Sequence, residues 1–443
     1  MKVYTLFVDG KYSFPASGNL FDAPAVETFN DIQNKVKKGQ EYLSLISIDD
    51  IIECIDLVVA DWSLRTGEVQ TKLGHLGINF LIYWFRRKHL QQISDNSLHG
   101  NRKVMDDFSV VDGCNYELIA NPKGTIVHWL AGNVPMLGML SLIQGLLTKN
   151  ANILKVPKDN ADVIPMLLNS FNKVSFINSR NEKITGAEIV KSIAAVYIDK
   201  NDNEAQKSLS EIASVRVAWG NLEAVETIMN LRKHYGSDDV IFGPRTSFMV
   251  IGQERLQSEE DAQKIARYAS MDASLFEQRG CNSPHTVFVE KGGNVTPLRF
   301  AEILGVEMQK SLKQIPRAKI AAADTLKILQ LRTEYDIRGE AFYSNGIEWT
   351  VLFSEEDYGL ADPCYNRTLF VRPVDDVMSV EKYCSHVTQS AGTALSEERR
   401  REFAKRVSAR GIDRVPEIGK MTLYEIPWDG MFVMNEFVKW CKL

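Results

Sequence analysis

The chain has 443 residues, 44% of them apolar and 25% charged, so its length predicts about two to three domains and its composition is that of a packed globular protein, not a disordered or fibrous one. A net charge of −5 supplies no field to collect nucleic-acid phosphates or anionic lipid, and the clusters Arg86-Arg87-Lys88 and Arg399-Arg400-Arg401 are short enough to read as solvated helix faces. Six cysteines, at 54, 114, 281, 364, 384 and 441, include no pair spaced for a zinc knuckle, which predicts no metal site and fits a reducing compartment.

The opening MKVYTLFVDGKYSF alternates like a strand and carries Asp9 and Lys11 where a signal peptide would continue its apolar stretch, so a cytoplasmic location is expected. Residues 20–120 read as largely helical, with apolar residues at helical spacing in VETFNDIQNKVKKG and INFLIYWFRRKHLQQI. The uncharged stretch Gly124–Thr148 is long enough to cross a bilayer. Asn133, Pro135, Gln144 and several glycines interrupt it, however, and a buried β–α unit is expected in place of a membrane span. Short β-rich runs then alternate with helical ones. They are GTIVHWLA, NILKVP, AVYID at 195–199, VRVAWG at 215–220 and, closing the series, TSFMVIG, with helices expected near 161–174 and over 222–235. This alternation predicts a mostly parallel, doubly wound sheet, which binds nucleotides at the carboxyl ends of its strands.

Residues 258–276 begin with Ser258 and Asp261 spaced as a capping pair, and a helix there leads toward Cys281. A strand over 285–290, a helix over 297–313 and the strands WTVLFSE and RTLFVRPV make a second α/β unit. The expected domains are 1–252, an N-terminal helical region with a dinucleotide-binding domain; 253–424, a catalytic domain; and 425–443, a C-terminal return segment. With no Gly/Ser-rich linker, the boundary is expected to be a packed hinge.

No GxGxxG follows a strand, and neither GxxxxGK[ST] nor HExxH occurs. In FEQRGCNSPHTVFVE, Cys281 stands between Gly280 and an Asn-Ser-Pro turn, a poor position for inert packing and a good one for a nucleophile, although lone cysteines commonly do no more than pack. Asn133, before Val-Pro, reads as a helix cap or as an amide donor. Gly220 and Asn221, at a strand-to-helix turn, suit the approach of backbone N–H groups to a diphosphate, or simply a tight turn.

The stretch HWLAGNVPMLGMLSLIQGLLTKNANILKVPKDN, residues 128–160, resembles the aldehyde dehydrogenase superfamily, and more closely its LuxC branch, the acyl-CoA reductase of bacterial bioluminescence and its relatives. VRVAWGNLEAV, RGCNSPH, SHVTQSAGT, RVPEIG and WDG follow in the order that resemblance requires, from about residue 120 onward. The resemblance implies an aldehyde dehydrogenase-like α/β fold, a doubly wound cofactor-binding domain plus an α/β catalytic domain. It puts Cys281 on the family's nucleophile, Asn133 on its oxyanion-hole amide and Lys155 on the lysine that contacts the adenosine ribose.

Two departures from the hydrolytic members stand out. Ile241 occupies the place of the glutamate that activates water, so the acyl group is expected to pass to a thiol or be reduced, not hydrolysed. Lys158 stands where NAD-selective members often carry a glutamate, which favours NADPH if its ammonium meets a 2′-phosphate and nothing if it points into solvent. The activity implied is an NADP-dependent acyl-CoA reductase that releases an aldehyde from a fatty acyl thioester by way of an S-acyl-cysteine. A CoA-acylating aldehyde dehydrogenase, an acyl-phosphate reductase and a non-catalytic nucleotide-binding scaffold are the alternatives. The same resemblance implies an acyl-protein synthetase partner and a homo-oligomer.

Overall fold

A computed structural model describes residues 1–443 except 75, 76, 133, 135, 316 and 318. The chain divides into two compact units, Met1–Gly243 with Glu425–Leu443, and Pro244–Tyr424.

In the first unit, five parallel strands run in the order Asp238–Phe242, Val215–Trp219, Thr125–Trp129, Ala151–Lys155 and Ile193–Tyr197. Val3–Val8 adds antiparallel to the last of these. Every residue of Thr125–Trp129, Ile193–Tyr197 and Val215–Trp219 is buried, as strands covered on both faces require. The chain leaves Thr125–Trp129 toward one side of the sheet and, after Ile193–Tyr197, returns to the other. The order therefore reverses between Thr125–Trp129 and Val215–Trp219, the place where a doubly wound sheet opens a crevice at its carboxyl edge. The stretch 124–148 is a strand followed by the helix Gly138–Leu147, all of whose residues are buried, and no helix among the described residues is long and apolar enough to cross a membrane.

A polar network buried in this core holds the strand ends at the reversal. His128 is fully buried, with Nδ1 3.0 Å from Ser141 Oγ and Nε2 3.1 Å from Asn152 Oδ1. Since the Asn152 amide donates to Asn150 O at 2.7 Å, its Oδ1 accepts from His128 Nε2–H, which leaves Nδ1 to accept from the Ser141 hydroxyl. Burial pushes this imidazole down to about 4, against the hydrogen bond to Asn152. Ser141 Oγ also accepts from Trp219 Nε1 at 3.2 Å, and the Trp219 ring stacks on Phe242 at 3.9 Å between centroids.

Helices Asn30–Leu45, Ile48–Trp62, Glu68–Leu73, Ile78–Trp84 and Arg87–Ser97 fill most of the predicted helical region. Its last part is different: Glu117–Pro122 is a strand, paired antiparallel with Val438–Lys442 from the far end of the chain. The helix expected over 222–235 ends at Met229 because Arg216, 1% exposed, takes the carbonyls of Ile228 and Leu231 at 3.0 Å and that of Met229 at 3.4 Å. Asp239 bonds the same guanidinium at 2.6 and 2.8 Å, so its charge is paired as well as buried.

The second unit holds a six-stranded sheet in the order Glu340–Tyr343, Thr350–Phe353, Thr368–Val374, Pro284–Glu290, Thr246–Ile251 and Thr388–Ala394. Only the first pair is antiparallel. TSFMVIG, read in the sequence as the close of the first series, is the strand Thr246–Ile251 at the heart of this second sheet. The division accordingly falls at Gly243/Pro244 and not after residue 252. Glu259–Ser274 and Pro297–Gln314 cover one face through Ala262, Ala266, Phe300 and Leu304. Ser258 caps the first of them, its hydroxyl accepting from Asp261 N at 3.1 Å. The other face carries Glu397–Ser408, packed through Phe403 and Val407, and Ala322–Arg338, packed through Ile328 and Tyr335.

Candidate active site

Between the helix ending at Ser274 and the strand beginning at Pro284, the backbone makes an uncommon excursion. Phe276, Glu277 and Gln278 have φ of 52°, 53° and 60°, and a second left-handed run, Tyr365, Asn366 and Arg367, has φ of 58°, 54° and 61°. None is glycine, and such conformations cost of order 1 kcal/mol each unless the surroundings enforce them. Here they do. Asn366 N donates to Glu277 O at 2.9 Å, and the Arg367 guanidinium donates to the Glu277 carboxylate at 2.6 and 3.1 Å. The fully buried Gln278 amide donates to Pro284 O at 2.8 Å and Thr368 O at 3.0 Å and accepts from Thr368 N at 2.7 Å.

Cys281 sits in the turn this bracket holds, half-buried. Its carbonyl accepts from Ser247 Oγ at 2.7 Å, and the same hydroxyl accepts from Ser390 N at 3.1 Å. Asn282 Nδ2 donates to Met421 O at 3.0 Å, and Ser283 N closes the turn on Gly280 O at 3.0 Å. A side chain at 280 would put its Cβ 2.8 Å from Asn282 Oδ1, so glycine there keeps the turn tight. The cysteine backbone is fixed while its side chain keeps access, which is what a nucleophile needs.

The sheet is irregular at this same level. Ser247 pairs with Pro284 and Phe248 with Thr286, so His285 is an extra, bulged residue. On the other side Thr246 pairs with Thr388 but Phe248 with Ala391, a second bulge. Bulges re-aim side chains and gather beside active sites. His285 is 3% exposed, its Nδ1 has no hydrogen-bond partner among the described residues, and burial, with the Lys327 charge, pushes the imidazole down to about 4. Tyr365 meets its ring edge-on at 5.4 Å and takes Arg279 against its own face at 5.8 Å. Asp324 holds Arg279 at 2.9 Å and Asn366 Nδ2 at 3.1 Å. A neutral imidazole, a phenol and a guanidinium thus adjoin the cysteine turn. None of the three was singled out in the sequence: Arg279 and His285 are the two ends of RGCNSPH, a segment read for its cysteine, and Tyr365 carried no motif.

Three other cysteines are poor nucleophiles by environment. Burial pushes Cys54 and Cys384 up to about 12 and raises Cys364.

The cofactor candidates lie on the first unit. Lys155 ends the Ala151–Lys155 strand at the carboxyl edge, partly buried. Burial lowers its pKa against the pull of Asp199, and among the described residues its ammonium makes no hydrogen bond or ion pair. A cation held this way fits a partner that offers oxygen atoms, such as ribose hydroxyls. Lys158 lies on the short turn Lys158–Asn160, exposed, with its ammonium 5.1 Å from the centre of the Phe21 ring. Asn160 ties that turn to Gly132 O at 2.8 Å.

Gly220 and Asn221 follow Val215–Trp219 at the reversal of strand order. Asn221 caps the helix Leu222–Met229, its Oδ1 accepting from Ala224 N at 3.0 Å. Gly220 N donates to Phe242 O at 3.3 Å, and a Cβ at 220 would lie 2.9 Å from that of Ala224. Close packing therefore already calls for glycine there. Ile241 lies in Asp238–Phe242 opposite Ala218, an alkyl group with no proton to take or give. Asn133 lies outside the described residues.

Residues 43–440 match the family described as acyl-CoA reductase (LuxC). The chain belongs to that family. Among similar proteins, the long-chain acyl-protein thioester reductase of Vibrio harveyi is 23% identical over 420 residues, covering 90% of this chain and 83% of that protein. The long-chain acyl-protein thioester reductase of Photorhabdus laumondii is 24% identical over 360 residues, covering 79% and 69%. Among solved structures, aldehyde dehydrogenase 21 of Physcomitrella patens, in complex with the reaction product succinate, superposes with a TM-score of 0.68 at 11% identity over 99% of this chain and 97% of that one. NADP-dependent glyceraldehyde-3-phosphate dehydrogenase of Bacillus halodurans, complexed with NADP, gives 0.66 at 12% identity over 99% and 98%. The fold is thus that of the aldehyde dehydrogenases. The LuxC match covers both the cysteine turn and the lysine-bearing strand. Among the described residues, no group of three or more His, Cys, Asp or Glu side chains could hold a metal ion.

Proposed function

We propose that this LuxC-family reductase converts a fatty acyl thioester to an aldehyde through an S-acyl intermediate on Cys281, with NADPH as the reductant. The observation that carries the reading is the Cys281 turn, half-exposed and held by Gln278, Ser247 and Asn282 beside two strand bulges. Cys281 Sγ attacks the thioester carbonyl as the thiolate, the carbonyl π pair moves to oxygen, and Asn133 with the Cys281 N–H is the proposed oxyanion holder. Collapse breaks the bond to the carrier sulfur, which departs as a thiol with a proton from the site, leaving the acyl group on Cys281. NADPH, when bound, supplies the hydride for the reductive half. Cys281 then holds a thiohemiacetal; loss of its hydroxyl proton expels the sulfur, giving aldehyde and the regenerated cysteine. Ile241 offers no base for water, which keeps the acyl-enzyme from draining to acid.

Lys155 supports binding of the adenosine ribose, Lys158 the 2′-phosphate, and the Gly220-Asn221 turn the approach of the diphosphate at the reversal of strand order. The relatives' names favour a second carrier, an acyl group on a partner protein in place of CoA; a synthetase that loads such a protein is the corresponding partner.

The test is intact mass of the full chain incubated with long-chain acyl-CoA and no reductant. One acyl adduct, released by hydroxylamine and absent in Cys281→Ala, is expected, and NADPH discharges it as aldehyde. An adduct that persists in Cys281→Ala moves the nucleophile to another residue. No adduct from acyl-CoA but one from an acylated protein thioester selects the second carrier, and none from either leaves a nucleotide-binding scaffold.

A further inference from the structure

We propose that Phe21, from the N-terminal segment, is a specificity-determining residue for the cofactor, because it holds the Lys158 ammonium in the position where a 2′-phosphate is read. The inference rests on the proposed NADPH reading and adds a residue that no motif points to.

The segment before the first helix is built onto the sheet's carboxyl edge. Val3–Val8 pairs with Ile193–Tyr197 so that Tyr4 stands opposite Tyr197, their rings 6.1 Å apart. The chain returns through Ala25–Val26, paired with Val3–Val8, and between them the short turn Leu20–Asp22 lifts Phe21 onto this pair. That turn is fixed by side chains. Asn19 Oδ1 accepts from Phe21 N at 3.3 Å, Asn19 Nδ2 donates to Asp22 Oδ1 at 3.0 Å, and Ser17 Oγ donates to Asp22 Oδ2 at 2.8 Å. The Phe21 ring meets Tyr4 edge-on at 5.4 Å and Tyr197 at 6.2 Å. It is nevertheless 45% exposed, and what covers part of it is Lys158, whose Nζ is 5.1 Å from its centre.

An exposed lysine on a three-residue turn would ordinarily sample many rotamers, and ordering it would oppose ligand binding. Lys158 makes no ion pair among the described residues, although Asp159 is its neighbour and Asp199 lies near Lys155 and Tyr197. It rests instead on a π face, a partner that leaves the ammonium's outward N–H groups free for an anion. Tyr197 follows Val196, which pairs with Lys155, so the aromatic group stands next to the lysine proposed for the ribose. NADH has no phosphate there and gains nothing from the arrangement.

The experiment titrates NADPH and NADH separately into the full chain, following nicotinamide fluorescence, with no acyl substrate present. Phe21→Ala and Phe21→Leu are each expected to lower the NADPH-over-NADH affinity ratio about two- to fivefold, the size of one exposed cation–π contact, while Phe21→Tyr retains it. In a Lys158→Ala background the Phe21 changes should leave the ratio where Lys158→Ala put it. If Lys158→Ala lowers the ratio and Phe21→Leu does not, Phe21 has no such role and the cofactor reading stands. Equal loss for both cofactors in Phe21→Leu also overturns the inference, since a structural or adenine-contacting ring would act that way. Equal affinities in the unmodified chain, with Lys158→Ala silent, overturn the cofactor reading and this inference with it.

Discussion

At the scale of single residues, chemistry and support are divided between groups of different legibility. Cys281 was legible because Gly-Cys-Asn-Ser-Pro is a turn sequence and turns do not bury thiols. Its support was not, since the side chains of Gln278, Glu277 and Arg367 bond between segments 90 residues apart along the chain. Lys155 and Lys158 were legible as cations after a strand, but their difference was not: one is partly buried with no hydrogen bond or ion pair among the described residues, the other rests on Phe21. Asn133→Ala should lower turnover roughly a hundred- to thousandfold, the usual effect of losing one oxyanion donor, with NADPH affinity moving far less. Steady-state rates beside cofactor titration check this; a fall under fivefold would reduce Asn133 to the helix cap that its Asn-Val-Pro context equally allows.

At the scale of elements, strands and helices followed the apolar patterns, and the departures have local causes. The helix after Asn221 stops at Met229 because a buried arginine takes its last carbonyls, which no periodicity encodes. The bulges at His285 and between Thr388 and Ala391 are register shifts against Thr246–Ile251, which no single strand's residues announce. Ser247, between them, joins Cys281 O to Ser390 N through one hydroxyl. Ser247→Ala removes the hydroxyl that bonds both Cys281 O and Ser390 N and should cost about 1–3 kcal/mol. The acyl-transfer rate should fall as well, because the cysteine turn loses an anchor. Urea unfolding and single-turnover acylation read the two effects, and an unchanged acylation rate would mean that the remaining anchors suffice.

At the scale of the whole molecule, the two units should respond unequally to acid. His128, in the first, is held near 4 against an ordinary value of 6.5; the unfolded chain binds that proton first, so stability falls as pH drops from about 6.5 toward 4. By pH 5 the loss is about 2 kcal/mol. In the second unit His285 acts with the same sign. Asp272 opposes it there, because burial outweighs the N–H groups of Gly419 and Met421 and lifts its carboxyl to about 7. A protonated folded Asp272 contributes stability that is present at low pH and lost as pH rises between about 4 and 7. Calorimetry at pH 7.5 and pH 5 should therefore show the transition of the first unit moving down more than that of the second; equal shifts would refute the assignment. The sequence by itself determined the class, two α/β units with a doubly wound sheet, and the candidate cysteine, because apolar period and turn chemistry are local and survive in a linear reading. Tertiary structure alone decided that TSFMVIG belongs to the second sheet, that His285 is bulged and neutral, and that Phe21 meets Lys158. Sheet membership, burial and cation–π contact are set by which distant segments meet, and a strand's own residues carry no record of its neighbours.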